Sequence, residues 1–245
     1  MAAVTETRRR LSLPTERVFY LTMSIALFAT VFAGFARSFY LHFLFPAFPR
    51  PPETIFYIKG LIFTAWCVLL VVQASLILAD RRTLHRKLGV AGVGVAIAMV
   101  VTGVYGTLVA AARMPGGPVA VMPLSFVIIP LTDMVLFAIL VAFGVVHRSS
   151  PQTHKRIMLI ATIGLIVAGV TRLPGLYDAP FQVSVAVSDV LLVPIVAWDL
   201  VSRGRLHPAT LGAGGALVAT QVLRLVIASS PPWLAFCRWA VDLVR

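Results

Sequence analysis

Ser149–Gly175 reads SSPQTHKRIMLIATIGLIVAGVTRLPG. An apolar run opens on His154, Lys155 and Arg156, closes at Arg172, and stops at Pro174-Gly175. Eighteen helical steps from His154 to Arg172 rise about 27 Å, close to the thickness of a bilayer's hydrocarbon layer. The stretch therefore reads as one continuous span bounded by charge. Lys155, Arg156 and Arg172 are expected to snorkel to the headgroup layers as anchors.

Outward from this segment the pattern repeats. Hydrophobic residues make up 59% of the 245 and charged residues 12%, a balance foreign to soluble domains. Apolar runs fall at about Val18–Ala36, Ile58–Ala79, Leu88–Ala112, Met122–Val146, Ile157–Arg172, Val183–Val201 and Thr210–Ala228. Seven runs near 20 residues predict an all-α, seven-span polytopic membrane helix bundle.

The charge is topological. Of 21 lysines and arginines, 13 lie in the chain start and in the loops DRRTLHRK, HRSSPQTHKR and SRGRLH, which alternate with loops rich in Pro, Gly and aromatics. The positive-inside rule places these on the cytoplasmic side of a bacterial inner membrane, with the C-terminus periplasmic. A net charge of +12 distributed in this way describes orientation and not a nucleic-acid surface. Residues 1–17 read as a cytoplasmic lead and not as a cleaved export signal, because the run from Val18 is too long for an h-region.

Two flanking segments look interfacial. RSFYLHFLFPAFPRPPETIFYIKG carries many aromatics and four prolines. In residues 230–245, Arg238, Asp242 and Arg245 share one helical face, while Trp233, Phe236, Trp239 and Leu243 cover much of the rest.

Internal similarity points to repeated hairpins at about 58–112, 122–172 and 183–228. Their second helices open alike, as LHRKLG, THKRIM and LHPATL, and TDMVLF at Thr132 resembles SDVLLV at Ser188. Small residues at Gly92, Ala96, Met99, Gly103 and Gly106, and at Gly212, Ala216 and Thr220 with Arg224, predict helix-contact faces.

Polar residues inside such runs are the candidate sites. Asp133 and Asp189 lie within the fourth and sixth spans, where a mid-helix Asp costs about 2.5 to 3.5 kcal/mol to insert. Arg224 is their natural partner and Arg172 a second. Together the four predict an outward-opening polar pocket, or equally a pair of buried salt bridges locking the helices. Pro194, five residues after Asp189, predicts a kink.

His85, His147, His154 and His207 all fall at basic helix ends, at depths where two could ligate a b-type haem or a metal, or simply serve as interfacial histidines. His42, on the other side, has no evident partner. Lys59, Lys87 and Lys155 are the only lysines and none lies deep in the last span, which argues against a retinal pigment. There is no glycine-rich phosphate loop, nucleophile elbow or HExxH, and Cys67 and Cys237 have no partner at ligand spacing.

The segments IKGLIFTAWCVLLVVQ, LHRKLGVAG, THKRIMLIAT and RLHPATL resemble a family of uncharacterised multipass bacterial inner-membrane proteins, the likeness covering Phe35 to Trp239. More distantly, the His-Lys-Arg-x-Met start with a distal Arg is similar to small membrane proteins associated with haem-copper oxidase maturation. The resemblance implies fold and location but carries no activity. Where relatives show His-x-His-Gly this chain has Tyr57-Ile58-Lys59-Gly60, so no outer-side metal or haem site carries over. The expected function is a non-enzymatic accessory or assembly protein, with a larger membrane complex as its expected setting, whose polar pocket takes a partner helix, lipid or small apolar ligand. The alternatives are a b-type haem or other redox-cofactor protein, and a small-solute transporter.

Overall fold

The computed structural model describes residues 13–48, 53–112 and 123–244; most of the N-terminal lead, and Arg245, lie outside them. Among the described residues there is no strand. The helices are α1 (Leu13–Phe35), α2 (Thr54–Leu78), α3 (Arg82–Ala112), α4 (Ile128–Val146), α5 (Pro151–Ile163), α6 (Val167–Val170), α7 (Phe181–Asp189), α8 (Val193–Arg203), α9 (Pro208–Ile227) and α10 (Pro231–Asp242). They make seven membrane-length apolar spans, α5 with α6 forming the fifth and α7 with α8 the sixth. The chain is an all-α polytopic membrane bundle.

Successive spans pack as antiparallel neighbours: α1 on α2, α2 on α3, α3 on α4 and α4 on α5, while α9 closes onto α4 and α5. All the short charged turns thus gather at one end, called here the basic end. Several helices begin inside this charged zone, earlier than the apolar runs do. Arg82, His85, Arg86 and Lys87 are the opening turns of α3, and Pro151 occupies the first turn of α5.

The segment Ser149–Gly175 corrects the expectation of one regular helix. After Ile163 the backbone tightens: Leu165 N–H donates to the Thr162 carbonyl (3.0 Å) and Ile166 N–H to that of Ile163 (3.1 Å). These are bonds to the third residue back, a local 3₁₀ overwinding where Gly164 weakens the α-helix. The fifth span is also the most enclosed of the seven. Ile157, Leu159, Ile160, Ile163, Ile166 and Val170 all lie in the core, with Leu27, Phe137 and Leu217 from three other spans. Trp66 of α2 stacks edge-on against Phe137 at 5.0 Å, and its indole N–H donates to Thr162 Oγ1 at 3.0 Å.

Beyond the overwound turn the span meets α1 backbone to backbone. A Cβ on Gly34 would fall 2.8 Å from Gly169 Cα, and one on Gly169 would fall 3.3 Å from Val31 Cα. Neither side has room for a side chain, so the two glycines set this crossing. The stripe on α3 is buried as expected, at Gly92, Ala96, Met99, Gly103 and Gly106. On α9 the packed face is instead Ala209, Ala213, Leu217 and Arg224, and Gly212 is exposed. Of the expected face Arg224 is buried, Ala216 packs on the core and Thr220 is partly buried, while Gly212 alone is exposed, because a strict four-residue spacing drifts around a helix of 3.6 residues per turn.

The sixth span kinks where Pro194 requires it. A 3₁₀ turn, Val190–Leu192, separates α7 from α8, since the proline lacks an N–H and its ring crowds the Val190 carbonyl. The final segment is helical as α10 and packs on α3 and on the 3₁₀ turn Leu124–Val127. Its inward residues are Cys237, Ala240 and Val241, while Trp239 and Phe236 face outward.

Candidate functional site

The largest correction concerns Arg156. It does not snorkel; it is fully buried and forms an ion pair with Asp199 of α8. Arg156 Nε donates to Asp199 Oδ1 at 2.9 Å and Nη2 donates to the same oxygen, while Nη1 donates to the Gln152 carbonyl (2.8 Å) and to Gln152 Oε1 (2.6 Å). The second carboxylate oxygen, Oδ2, accepts from His207 N–H (3.0 Å) and from Thr210 Oγ1 (2.6 Å). Every carboxylate oxygen and guanidinium nitrogen is engaged, which is what a buried pair needs to offset desolvation. Lys155 is likewise held by protein, with Glu16 Oε1 at 2.6 Å and the Tyr20 ring at 4.6 Å. The basic end of the fifth span therefore joins α1, α5, α8 and α9. Sequence reading passed over Asp199. The available signal was an acid inside the apolar run Val183–Val201, eight residues before the histidine that starts the next helix.

Local chain chemistry builds this corner. Gly204 adopts φ 70° and ends α8 as a left-handed cap. Three residues later His207 caps α9, its Nδ1 accepting from Ala209 N–H at 3.0 Å, with Pro208 in the first turn. Arg203, Arg205 and His207 are thereby fixed beside the ends of α4 and α5.

Of the four residues expected to form a polar pocket, two meet directly. Arg224 of α9 forms a buried ion pair with Asp133 of α4, and its Nε donates to Thr132 Oγ1 at 2.7 Å. Removing one member of such a pair costs about 3–5 kcal/mol, since the other is left charged in hydrocarbon. Asp189 is half-buried and accepts from Gln221 Nε2 at 3.0 Å. Arg172 lies past the end of α6, its Nη1 donating to the Ala168 carbonyl and its guanidinium 4.7 Å from the Phe35 ring. Lys59 of α2 reaches towards α3, with its Cδ 3.5 Å from where a Gly106 Cβ would lie and its ammonium 5.6 Å from the Phe63 ring. It shares an electrostatic neighbourhood with Asp133 and Arg172. Among the described residues neither Lys59 nor Arg172 has a carboxylate within salt-bridge distance.

The histidines divide by tautomer. His85, His147 and His154 each place Nδ1 against a carbonyl, of Gln73 (3.3 Å), Phe143 (2.9 Å) and Gly144 (2.8 Å). A carbonyl only accepts, so these three carry the proton on Nδ1 and leave the Nε2 lone pair for a ligand. His207 is the reverse: its Nδ1 lone pair is used by Ala209, so the proton sits on Nε2 and no lone pair remains for a metal. The rings of His85 and His154 lie 6.4 Å apart. Among the described residues no group of three or more His, Cys, Asp or Glu could hold a metal ion. His42, expected to stand alone, donates from Nε2 to the Phe48 carbonyl at 3.0 Å. Cys237 is buried, and burial pushes its thiol pKa up, which makes it a poor nucleophile.

Two hollows stand out. One, of about 710 Å³, lies at the basic end between α4, α5 and α9. The other, of about 230 Å³, is at the opposite end, bounded by Ser38, Phe39, His42, Phe43 and Tyr57. Neither is lined by Asp133, Asp189, Arg224 or Arg172. Compared with known proteins, the chain matches no family model, no curated protein and no solved structure.

Proposed function

We propose that the protein is a non-enzymatic accessory or assembly protein of the bacterial inner membrane, and that its outer-half polar cluster receives a partner helix, with a lipid or small apolar ligand as the other occupants of the same place. The observation that carries this reading is the imbalance of charge there. Asp133 and Arg224 neutralise each other, while Lys59 and Arg172 touch aromatic rings and carbonyls but no carboxylate among the described residues. A membrane-embedded acid on another helix would find two cations waiting, and such a pairing is a strong specifier of helix association. The Arg156–Asp199 and Arg224–Asp133 pairs are each satisfied internally, which favours scaffold over turnover. The bias of basic residues supports a cytoplasmic N-terminus and a periplasmic C-terminal helix. Purification in mild detergent at native expression tests the reading. A stoichiometric membrane partner, lost on Lys59→Ala, is the expected result, and a partner-free monomer counts against it.

The b-type haem or redox-cofactor reading keeps one favouring observation, the adjacent His85 and His154 rings with both Nε2 lone pairs free. An absorption spectrum of the same preparation decides it through the presence or absence of a Soret band.

A further inference from the structure

The hollow at the basic end belongs to none of the residues discussed as a docking cluster, and its chemistry is two-part. Its walls are Ile139 and Phe143 of α4 and Gly212 and Ala213 of α9. Its mouth carries His147, Arg203 and Arg205. From His147 to Ile139 is eight helical residues, so the apolar part runs about 12 Å from the charged loops towards the membrane interior. The groove exists because α9 offers only small side chains here. A Cβ on Gly212 would meet nothing within 4 Å, and Gly212 itself is exposed. Its volume of about 710 Å³ falls inside the range of about 300–1,000 Å³ typical of small-molecule sites.

We propose that this groove is a binding site for one anionic phospholipid, such as phosphatidylglycerol, held by its phosphate at Arg205 and Arg203 with an acyl chain laid along Phe143, Ile139 and Gly212. Arg205 is exposed and has no hydrogen-bond or ion-pair partner among the described residues. Gly204 turns the chain so that both arginines flank the groove's opening. Basic pockets between spans recognise anionic headgroups, because the guanidinium fork fits a phosphate and the surrounding low dielectric strengthens the pairing. A zwitterionic headgroup would bring its own cation against the arginines, so charge complementarity selects the anionic lipid. The length of the apolar wall suits a lipid tail and offers nothing to a free anion. The site is independent of the outer-half cluster and stands whether or not a partner helix is found there.

Native mass spectrometry of the full chain in detergent, titrated with phosphatidylglycerol or phosphatidylcholine, tests the proposal. The expected result is one phosphatidylglycerol retained per chain, with phosphatidylcholine retained about tenfold less, and Arg205→Ala weakening retention about five- to tenfold. Gly212→Leu, which fills the groove without touching the arginines, lowers retention similarly. Gly215→Leu leaves it unchanged, because Gly215 is exposed, equally open and outside the groove. Equal retention of the two lipids overturns the proposal, as does retention insensitive to both Arg205→Ala and Gly212→Leu, or an acidic polypeptide found in the groove in place of lipid.

Discussion

His207 is neutral because of where it sits. Its Nδ1 must accept the Ala209 N–H to cap α9, and a proton there would set two donors face to face. Burial lowers its pKa below the ordinary histidine value, Arg156, Arg203 and Lys155 lower it further, and Asp199 opposes them. Since the folded protein binds this proton less readily than the unfolded chain, its contribution is complete above the ordinary histidine range. It is lost as the pH falls through that range towards the depressed folded value. The thermal midpoint in detergent should therefore drop as the pH falls through and below the ordinary histidine range. His207→Asn should flatten this dependence, because asparagine caps without titrating, whereas an alanine forfeits a cap worth about 0.5–2 kcal/mol at every pH. From the sequence alone His154 and His207 look equivalent, each opening the second helix of a hairpin. Proline at 208 is the one local sign that they differ: it makes 207 a capping position and turns the ring towards the backbone.

At the scale of elements, the crossing of α1 with the end of the fifth span is the least tolerant feature. Gly34→Ala drives a methyl group into the Gly169 backbone, which cannot move aside as a side chain would. Overpacking of this kind costs about 1–3 kcal/mol. Folded yield and thermal midpoint should both fall in Gly34→Ala and remain near the parent in Gly215→Ala, whose Cβ meets nothing within 4 Å; equal effects would show that the crossing is not tight. The elements themselves were legible in the sequence, because a run of apolar residues with the length of a bilayer has few other uses. Their partners were less so. Asp199 is 43 residues from Arg156, and Asp133 is 91 from Arg224. Which polar groups meet across such separations depends on helix rotation, and on α9 the drift of a four-residue spacing is enough to leave Gly212 exposed while Arg224 is buried.

For the whole molecule, the one-sided distribution of basic loops predicts that a periplasm-active reporter fused after Arg245 gives signal, and that the same reporter fused within residues 147–150 gives none. The reverse pattern would invert the assigned orientation while leaving the bundle intact. The polar interior was legible only as a set of residues needing partners. The structure shows that they are satisfied in two separate layers, Arg156 with Asp199 near the basic end and Arg224 with Asp133 elsewhere in the bundle.

The enclosure of the fifth span bears on how the chain enters a membrane at all. Pro151–Val170 is the least apolar of the seven spans as well as the most enclosed, and Leu124–Val146, just before it, is the most apolar. A helix surrounded by protein has no need to be soluble in lipid, and this one brings a buried arginine with it. Presented alone to the insertion machinery it would be a weak candidate for partitioning. Insertion as a pair is the expected route, the apolar fourth helix drawing its successor in as a hairpin, with Arg156 held only by Gln152 of its own helix until the sixth helix brings Asp199. Between those two events the nascent protein would carry a cation without its counter-charge, and a ribosome stalled there would leave an intermediate suited to capture by quality-control proteases.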